Sequence, residues 1–192
     1  MIVKCRFSCL LKEETTMADE ELNGLRPAKI KAILDSMRDD PEVLKAVTGP
    51  WKSRVVWQGG FKTKAYMRKH AVEMDEPEGL DAGDTAASAH EQLLSAVGTC
   101  MTVGFVLNAT KRGVKIHDLE IALEGNFSNI LKWAGHSDTG HPGYPSIKAK
   151  VFVKADADEA TLRDIWKAAV EGSPVAQTVA RPTEIVPEFE AL

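Results

Sequence analysis

The feature that most constrains this chain is a run of 19 residues without a charged side chain, from Gln92 to Thr110. A helix of this length could cross a lipid bilayer. Polar residues and two glycines interrupt the run, and the rest of the chain is hydrophilic, which favours a fully buried helix in a soluble protein. Lys111, Arg112 and Gly113 follow, and basic residues before a glycine are typical of a helix C-terminus. We therefore expect one long buried helix and no membrane span.

The size and composition predict a globular protein without a nucleic-acid partner. The 192 residues suit one domain with an appendage. With 44% hydrophobic and 27% charged residues the chain can form a core. Its net charge of −4 argues against phosphate binding through a basic face. Three cysteines, an odd number, make no disulfide framework and favour a reducing compartment, which indicates the cytoplasm.

Residues 1–16 are expected to be a disordered extension. Lys4 and Arg6 break their apolar run, so the segment lacks the continuous apolar stretch of a signal peptide. Cys5 and Cys9 lie in this extension with no second cysteine pair or histidine cluster, which favours incidental thiols over metal ligands or redox partners.

Two further regions follow the extension. Residues 17–50 are expected to form a helical appendage, because Pro27 to Met37 has apolar residues at helical spacing and a proline in the first turn. Residues 51–192 are expected to form an α+β domain with antiparallel hairpins. The predicted elements are a strand over 54–57 with a hairpin partner over 61–74, the long helix, strands at 119–123 and 147–153, helices over 158–171 and 175–179, and a last strand over 184–189.

The start of the long helix carries two candidate functional residues. Ser88 and Glu91 fit the capping box S-x-x-E, in which the serine hydroxyl accepts a backbone N–H and the carboxylate reaches back. Cys100 lies further along the same helix. Taken alone, Glu91 is explained as a helix cap and Cys100 as an inert packing residue. The two are nine residues apart, about 900° of helical rotation, so they point to opposite sides of the helix.

The string EQLLSAVGTC, from Glu91 to Cys100, resembles the hallmark of the OsmC/Ohr family, the osmotically inducible protein C and organic hydroperoxide resistance proteins. The resemblance covers about residues 51–192. Further segments resembling the family are the acidic stretch 75–84, Gly143–Ile147, Ser173–Val175 and Arg181-Pro182. The resemblance implies an OsmC-like fold with antiparallel sheets around long central helices, in an intertwined homodimer.

The same resemblance implies thiol-dependent reduction of organic hydroperoxides at the subunit interface, in defence against oxidative stress. Cys100 and Glu91 take the catalytic positions, while Ser173 stands where the family has its second cysteine. The enzyme would then be a one-cysteine peroxidase, and an external thiol would have to restore the oxidised Cys100. No cofactor and no metal ion are expected. Because Glu91 and Cys100 face opposite ways, Glu91 of a partner subunit would serve the thiol most simply, which independently favours a dimer.

A peroxidatic cysteine reacts as the thiolate, so a cation is expected near the sulfur. The family's arginine falls near Phe61, where this chain has no arginine. The candidate cations are Arg54, Lys62, Lys64, Arg68 and Arg181. Gly98 and Gly104 are expected to be points of close helix approach, either within one subunit or between two.

Two alternatives remain open. One is a non-catalytic dimer of the same fold that binds a small apolar ligand in the interface pocket. The other is a structural or interaction protein that recruits a partner through its N-terminal helices. The replacement of the second cysteine by Ser173 favours the first alternative over a two-thiol enzyme.

Overall fold

The computed structural model describes residues 20–191 and has the predicted α+β fold. The proposed extension with Cys5 and Cys9 lies outside the described residues. The elements are α1 (Pro27–Asp39), α2 (Pro41–Thr48), β1 (Arg54–Gly59), β2 (Lys62–Met67), β3 (His70–Met74), a 3₁₀ turn (Glu78–Leu80), α3 (Ala89–Lys111), β4 (Ile116–Gly125), α4 (Ile130–Trp133), β5 (Ile147–Ala155), α5 (Glu159–Glu171) and α6 (Pro174–Ala180).

These elements divide into two compact units that share α3. The first unit contains the described residues up to Glu91 together with Ala109–Lys115. The second contains Gln92–Asn108 and the described residues from Ile116 onward. The middle of the long helix therefore belongs to the second unit, and both of its ends belong to the first.

The sheet of the first unit is an antiparallel meander in the order β1-β2-β3. The single hairpin partner expected over 61–74 is wrong, because this segment forms two strands joined by a tight turn. Arg68 takes a left-handed backbone conformation there, with a φ of 53°. That conformation is uncommon for arginine, and the segment contains no Gly or Asn, the residues that would predict such a turn.

The second unit packs helices on the β4–β5 hairpin. Leu119 pairs with Val153 and Leu123 with Ala149, so the alternating apolar residues of the two strands lie on one face of the hairpin. The middle of α3 buries Val97, Met101 and Phe105 in this unit. These residues recur every four positions, so they form one face of the helix. Other core members are Ile121, Leu123, Ala149, Ile165, Trp166, Ala169, Val170 and Ala176.

Two further expectations are corrected. The helix predicted from the uncharged run is present, but it is not fully buried, since Leu93, Ala96, Thr99 and Val103 are exposed in the described chain. By length and composition α3 could cross a membrane, but a single core helix of a globular protein passes the same criterion. The strand expected over 184–189 is absent, because this segment pairs with no strand among the described residues.

Candidate functional site

The capping box at the start of α3 is formed as predicted. Glu91 Oε2 accepts hydrogen bonds from the Ser88 amide at 2.8 Å and from the Ser88 hydroxyl at 2.7 Å. The bond from the Ser88 backbone, helped by its hydroxyl, lowers the pKa of Glu91. Nε2 of His90 lies 3.1 Å from the same hydroxyl. Glu91 is therefore ionised at neutral pH and acts as a cap of α3 within its own subunit.

Cys100 lies three turns further along α3, beside the exposed strip of this helix. Its side chain is half-buried. Ala96 precedes it by four residues and Val103 follows by three, and residues at these spacings are neighbours on a helix surface. Ala96, Thr99 and Val103 define the strip, which we call the α3 stripe, and Val103 is 62% exposed. The thiol thus borders a surface, apolar at Ala96 and Val103, that no described element covers.

Two glycines let α3 pack closely against elements of its own chain. A Cβ on Gly104 would lie 3.3 Å from both the Cα and the carbonyl oxygen of Ala169 in α5. A Cβ on Gly98 would lie 2.5 Å from Cδ1 of Leu123 in β4. Both contacts are within one subunit, and only the one at Gly104 is between helices. Through these contacts α3 packs closely within its own unit, while the α3 stripe remains exposed.

Ser173 is buried and acts as a helix cap. It precedes Pro174 at the start of α6, and its Oγ accepts a hydrogen bond from the Ala176 amide at 3.2 Å. The hydroxyl at the family's second cysteine position therefore satisfies a free N–H of the helix terminus.

Three of the five candidate cations have defined interactions in the first unit. Lys64 Nζ lies 2.8 Å from Glu73 Oε1, and this hydrogen bond raises the pKa of Lys64 and lowers that of Glu73. The guanidinium of Arg54 stacks 4.8 Å above the ring of Tyr66. The charge of Lys62 helps to lower the pKa of Asp75, although hydrogen bonds contribute more.

The remaining two candidate cations differ in their location. Arg68 forms the β2–β3 turn of the first unit. Arg181 follows α6 and is the one candidate in the same unit as Cys100.

Asp75 organises the acidic loop, a role that sequence reasoning missed. This buried carboxylate accepts hydrogen bonds from the Thr85 amide and hydroxyl, at 3.1 and 2.8 Å, and from the Glu76 amide. The Thr85 amide is the main reason that the pKa of Asp75 is lowered. The sequence placed Asp75 only in an acidic loop, because its partner lies ten residues away.

Residues 20–191 contain no group of three His, Cys, Asp or Glu side chains arranged to hold a metal ion. In the excursion between β4 and β5, Nδ1 of His141 accepts a hydrogen bond from the Gly143 amide, which gives this imidazole a local structural role.

The second unit also contains an apolar cavity of about 380 Å³ between α3, the start of β5 and α6. Met101, Ile147, Val170 and Val179 are among the residues that line it, and Cys100 is not. Its volume is in the range of small-molecule sites.

The described chain combines a three-stranded meander, a long helix and a helix-covered hairpin in the α+β fold that solved OsmC-like structures share. The profile of OsmC-like proteins matches residues 82–188, more than half of the sequence. The chain therefore belongs to the OsmC-like protein family. Curated proteins give no significant sequence match.

Solved structures share this fold at low sequence identity. An OsmC-like protein from Mycoplasma pneumoniae is 15% identical, with a TM-score of 0.59 over 69% of this chain and 88% of its own. An OsmC-like protein of unknown function from Vibrio cholerae is 10% identical, with a TM-score of 0.56 over 68% and 93%. A hypothetical protein from Aquifex aeolicus is 16% identical, with a TM-score of 0.53 over 69% and 88%.

Proposed function

We propose that this protein is a one-cysteine peroxidase that reduces organic hydroperoxides through Cys100. The observation that carries the proposal is the half-buried position of this thiol beside the uncovered α3 stripe. A peroxide can reach a thiol at such a surface, and the apolar stripe suits an organic substituent. Membership of the OsmC-like family supports the assignment.

The reaction needs one thiol of the protein and two external thiols. The Cys100 sulfur attacks the outer peroxide oxygen, the O–O bond breaks, and the alkoxide leaves as an alcohol after taking the thiol proton. Cys100 is then a sulfenic acid. One external thiol condenses with it, releasing water and forming a mixed disulfide. A second external thiol displaces Cys100 and leaves as part of the external disulfide.

The proposal includes a cytoplasmic homodimer. The α3 stripe exposes apolar surface along a long helix, and a second copy of the stripe is a self-complementary cover for it. In this dimer the Cys100 thiols would lie at the edge of the interface. A cation from the partner subunit could then reach the sulfur.

The direct test is peroxide consumption with dithiothreitol as the reductant. We expect wild-type protein to consume cumene hydroperoxide faster than hydrogen peroxide, and Cys100→Ser to fall to the level of the protein-free blank. The matched control is the double variant Cys5→Ser/Cys9→Ser, which should keep the wild-type rate. Equal rates for wild type and Cys100→Ser, with unchanged circular dichroism, would exclude the peroxidase.

The second candidate is a non-catalytic binder of small apolar molecules, which the 380 Å³ cavity favours. Met101→Gln places a polar group in this cavity and should weaken binding of an apolar fluorescent probe such as 1-anilinonaphthalene-8-sulfonate. If this variant lowers probe binding and the wild type consumes no peroxide, the second candidate replaces the first.

A further inference from the structure

The C-terminal segment, residues 184–190, exposes its apolar side chains to solvent. Ile185, Val186 and Phe189 are exposed, Phe189 to 93%, and the segment pairs with no strand among the described residues. In an extended chain, side chains two residues apart share a face. Three glutamates, at positions 184, 188 and 190, therefore share one face with Val186, while Ile185 and Phe189 lie on the other.

Strand β5 offers an edge with the opposite charge. The sheet of the second unit has two strands, β4 and β5, so one edge of β5 has no partner strand in the described chain. The outward face of β5 carries four exposed residues, Lys148, Lys150, Phe152 and Lys154. The outward face of β4 carries acidic residues, at positions 118, 120 and 124. An acidic strand therefore suits the free edge of β5 and is repelled at the free edge of β4.

The present contacts of these lysines are weak. Lys148 Nζ lies 3.7 Å from Glu124 Oε1, with both side chains exposed, and Lys150 Nζ lies 4.7 Å from the centre of the Phe152 ring. Exposed pairs of this kind contribute little to stability. The ammonium groups of β5 are therefore accessible to carboxylates of an added strand.

One antiparallel register matches the two patterns. Its directly opposed pairs are Glu184–Lys154, Val186–Phe152, Glu188–Lys150 and Glu190–Lys148. The apolar residues Ile185 and Phe189 then fall on the inner face of the hairpin, with the half-buried residues of β5. A shift of two residues in either direction keeps a single Glu–Lys pair, and a shift of one residue turns the glutamates to the inner face.

The segment does not reach this register on its own chain. Thr183 Oγ1 donates to the Thr178 carbonyl at 3.2 Å, which fixes the start of the segment at α6. The end of α6 lies beside the start of β5, since both line the 380 Å³ cavity. Lys154 is seven residues from Ile147, about 23 Å along an extended strand. Glu184 directly follows Thr183, so it stays near the start of β5, whereas the register requires it at the other end.

We propose that the C-terminal segment of one copy adds to the free edge of β5 in a second copy, as an antiparallel strand with Val186 opposite Phe152. The exchange is reciprocal in a two-fold dimer, since each copy gives its segment to the other. This inference rests on the homodimer of the proposed function and adds a second contact to it. Pro187 is compatible with this role, because one side of an outermost strand needs no N–H donor.

Disulfide trapping tests the exchange and its register. In a full-length background without the native thiols, Cys5→Ser/Cys9→Ser/Cys100→Ser, the pair Val186→Cys and Phe152→Cys places two thiols at opposed positions. Their Cα atoms would be about 4.5–5.5 Å apart, within the reach of a disulfide. We expect mild oxidation to link most of the protein into covalent dimers on a non-reducing gel.

The matched control is Phe189→Cys with Phe152→Cys in the same background. It puts the second thiol on the other face of the segment, so most of the protein should stay monomeric on the gel. Equal yields of covalent dimer from both pairs would overturn the register, and a disulfide within one chain would overturn the exchange. If sedimentation velocity shows a dimer but Val186→Cys and Phe152→Cys do not link, the exchange is wrong and the proposed homodimer stands. A wild-type monomer throughout the series would overturn both.

Charge reversal provides an independent test. Lys150→Glu and Glu188→Lys each oppose like charges in their own homodimer, and each should raise its dissociation constant about fivefold. A mixture of the two variants restores opposite charges on both exchanged strands, so we expect heterodimers in preference to either homodimer. Lys167→Glu is the control partner for Glu188→Lys, because Lys167 lies on α5, and this mixture should show no preference. The same preference in the control mixture would overturn the pairing of Glu188 with Lys150.

Discussion

The carboxylate of Glu91 accepts hydrogen bonds from both the amide and the hydroxyl of Ser88, and the two residues together close the N-terminus of α3. These bonds hold the pKa of Glu91 below its ordinary value of 4.5. A carboxyl with a lower pKa in the folded state contributes stability above its unfolded pKa. This contribution is lost as the pH falls through the folded value.

The first prediction is that Glu91→Gln makes the free energy of unfolding depend less on pH in the acid range. Glutamine retains an acceptor but carries no charge, so the variant is less stable than wild type at pH 7, and the difference shrinks below pH 4.5. Urea unfolding followed by circular dichroism at a series of pH values measures it. Glu78→Gln, in the exposed 3₁₀ turn, is the control, and its stability should differ from that of wild type by the same amount at every pH. A pH-independent loss in Glu91→Gln would contradict the prediction.

The second prediction compares the same change at two glycines of α3. Gly104→Ala directs its methyl group at the Ala169 backbone, which cannot move without shifting α5. We expect a net loss of about 1 kcal/mol from this overpacking. Gly98→Ala meets only the end of the Leu123 side chain, so rotation of that side chain and the helix propensity of alanine make it close to neutral. Chemical denaturation measures the stability of both variants. If Gly98→Ala lost more stability than Gly104→Ala, α5 would move more easily than the Leu123 side chain.

The third prediction concerns the buried cap of α6. Ser173→Ala removes the acceptor for the Ala176 amide and should reduce the free energy of unfolding by about 1 kcal/mol. Thr178→Ala is the control on the same helix, because it removes an exposed hydroxyl that donates to the Pro174 carbonyl. The control should change stability by less than about 0.5 kcal/mol. Equal effects of both variants would mean that the cap contributes little.

Local signals in the sequence were sufficient for most elements of the fold. The uncharged run and the Ser88–Glu91 pair predicted α3 and its start, and alternation predicted β4 and β5. These patterns work because capping and amphipathic spacing depend on residues close together in the chain. The family resemblance at Cys100 supplied the candidate site, which stays a prediction, since a single cysteine on an apolar helix has no distinctive spacing of its own.

The errors have physical causes that no local pattern contains. Apolar content alone does not tell which side of a helix its own chain covers, so the exposure of Val103 was missed. The Arg68 turn lacks the residues that favour a left-handed conformation. Ile185, Val186 and Phe189 favour a strand over 184–189, but a strand requires a hydrogen-bonding partner, and the described chain supplies none.

The fourth prediction is that Val103→Lys weakens the proposed homodimer. A charge in the α3 stripe would be desolvated when two stripes meet, so the dissociation constant should rise at least about tenfold. Leu131→Lys is the matched control, because Leu131 has a similar exposure of 55% but lies on α4, away from the stripe. Sedimentation velocity over a concentration series measures the association of both variants. If wild type is a monomer throughout the series, or if Val103→Lys associates as wild type does, the stripe is not the interface and Cys100 must be activated within one subunit.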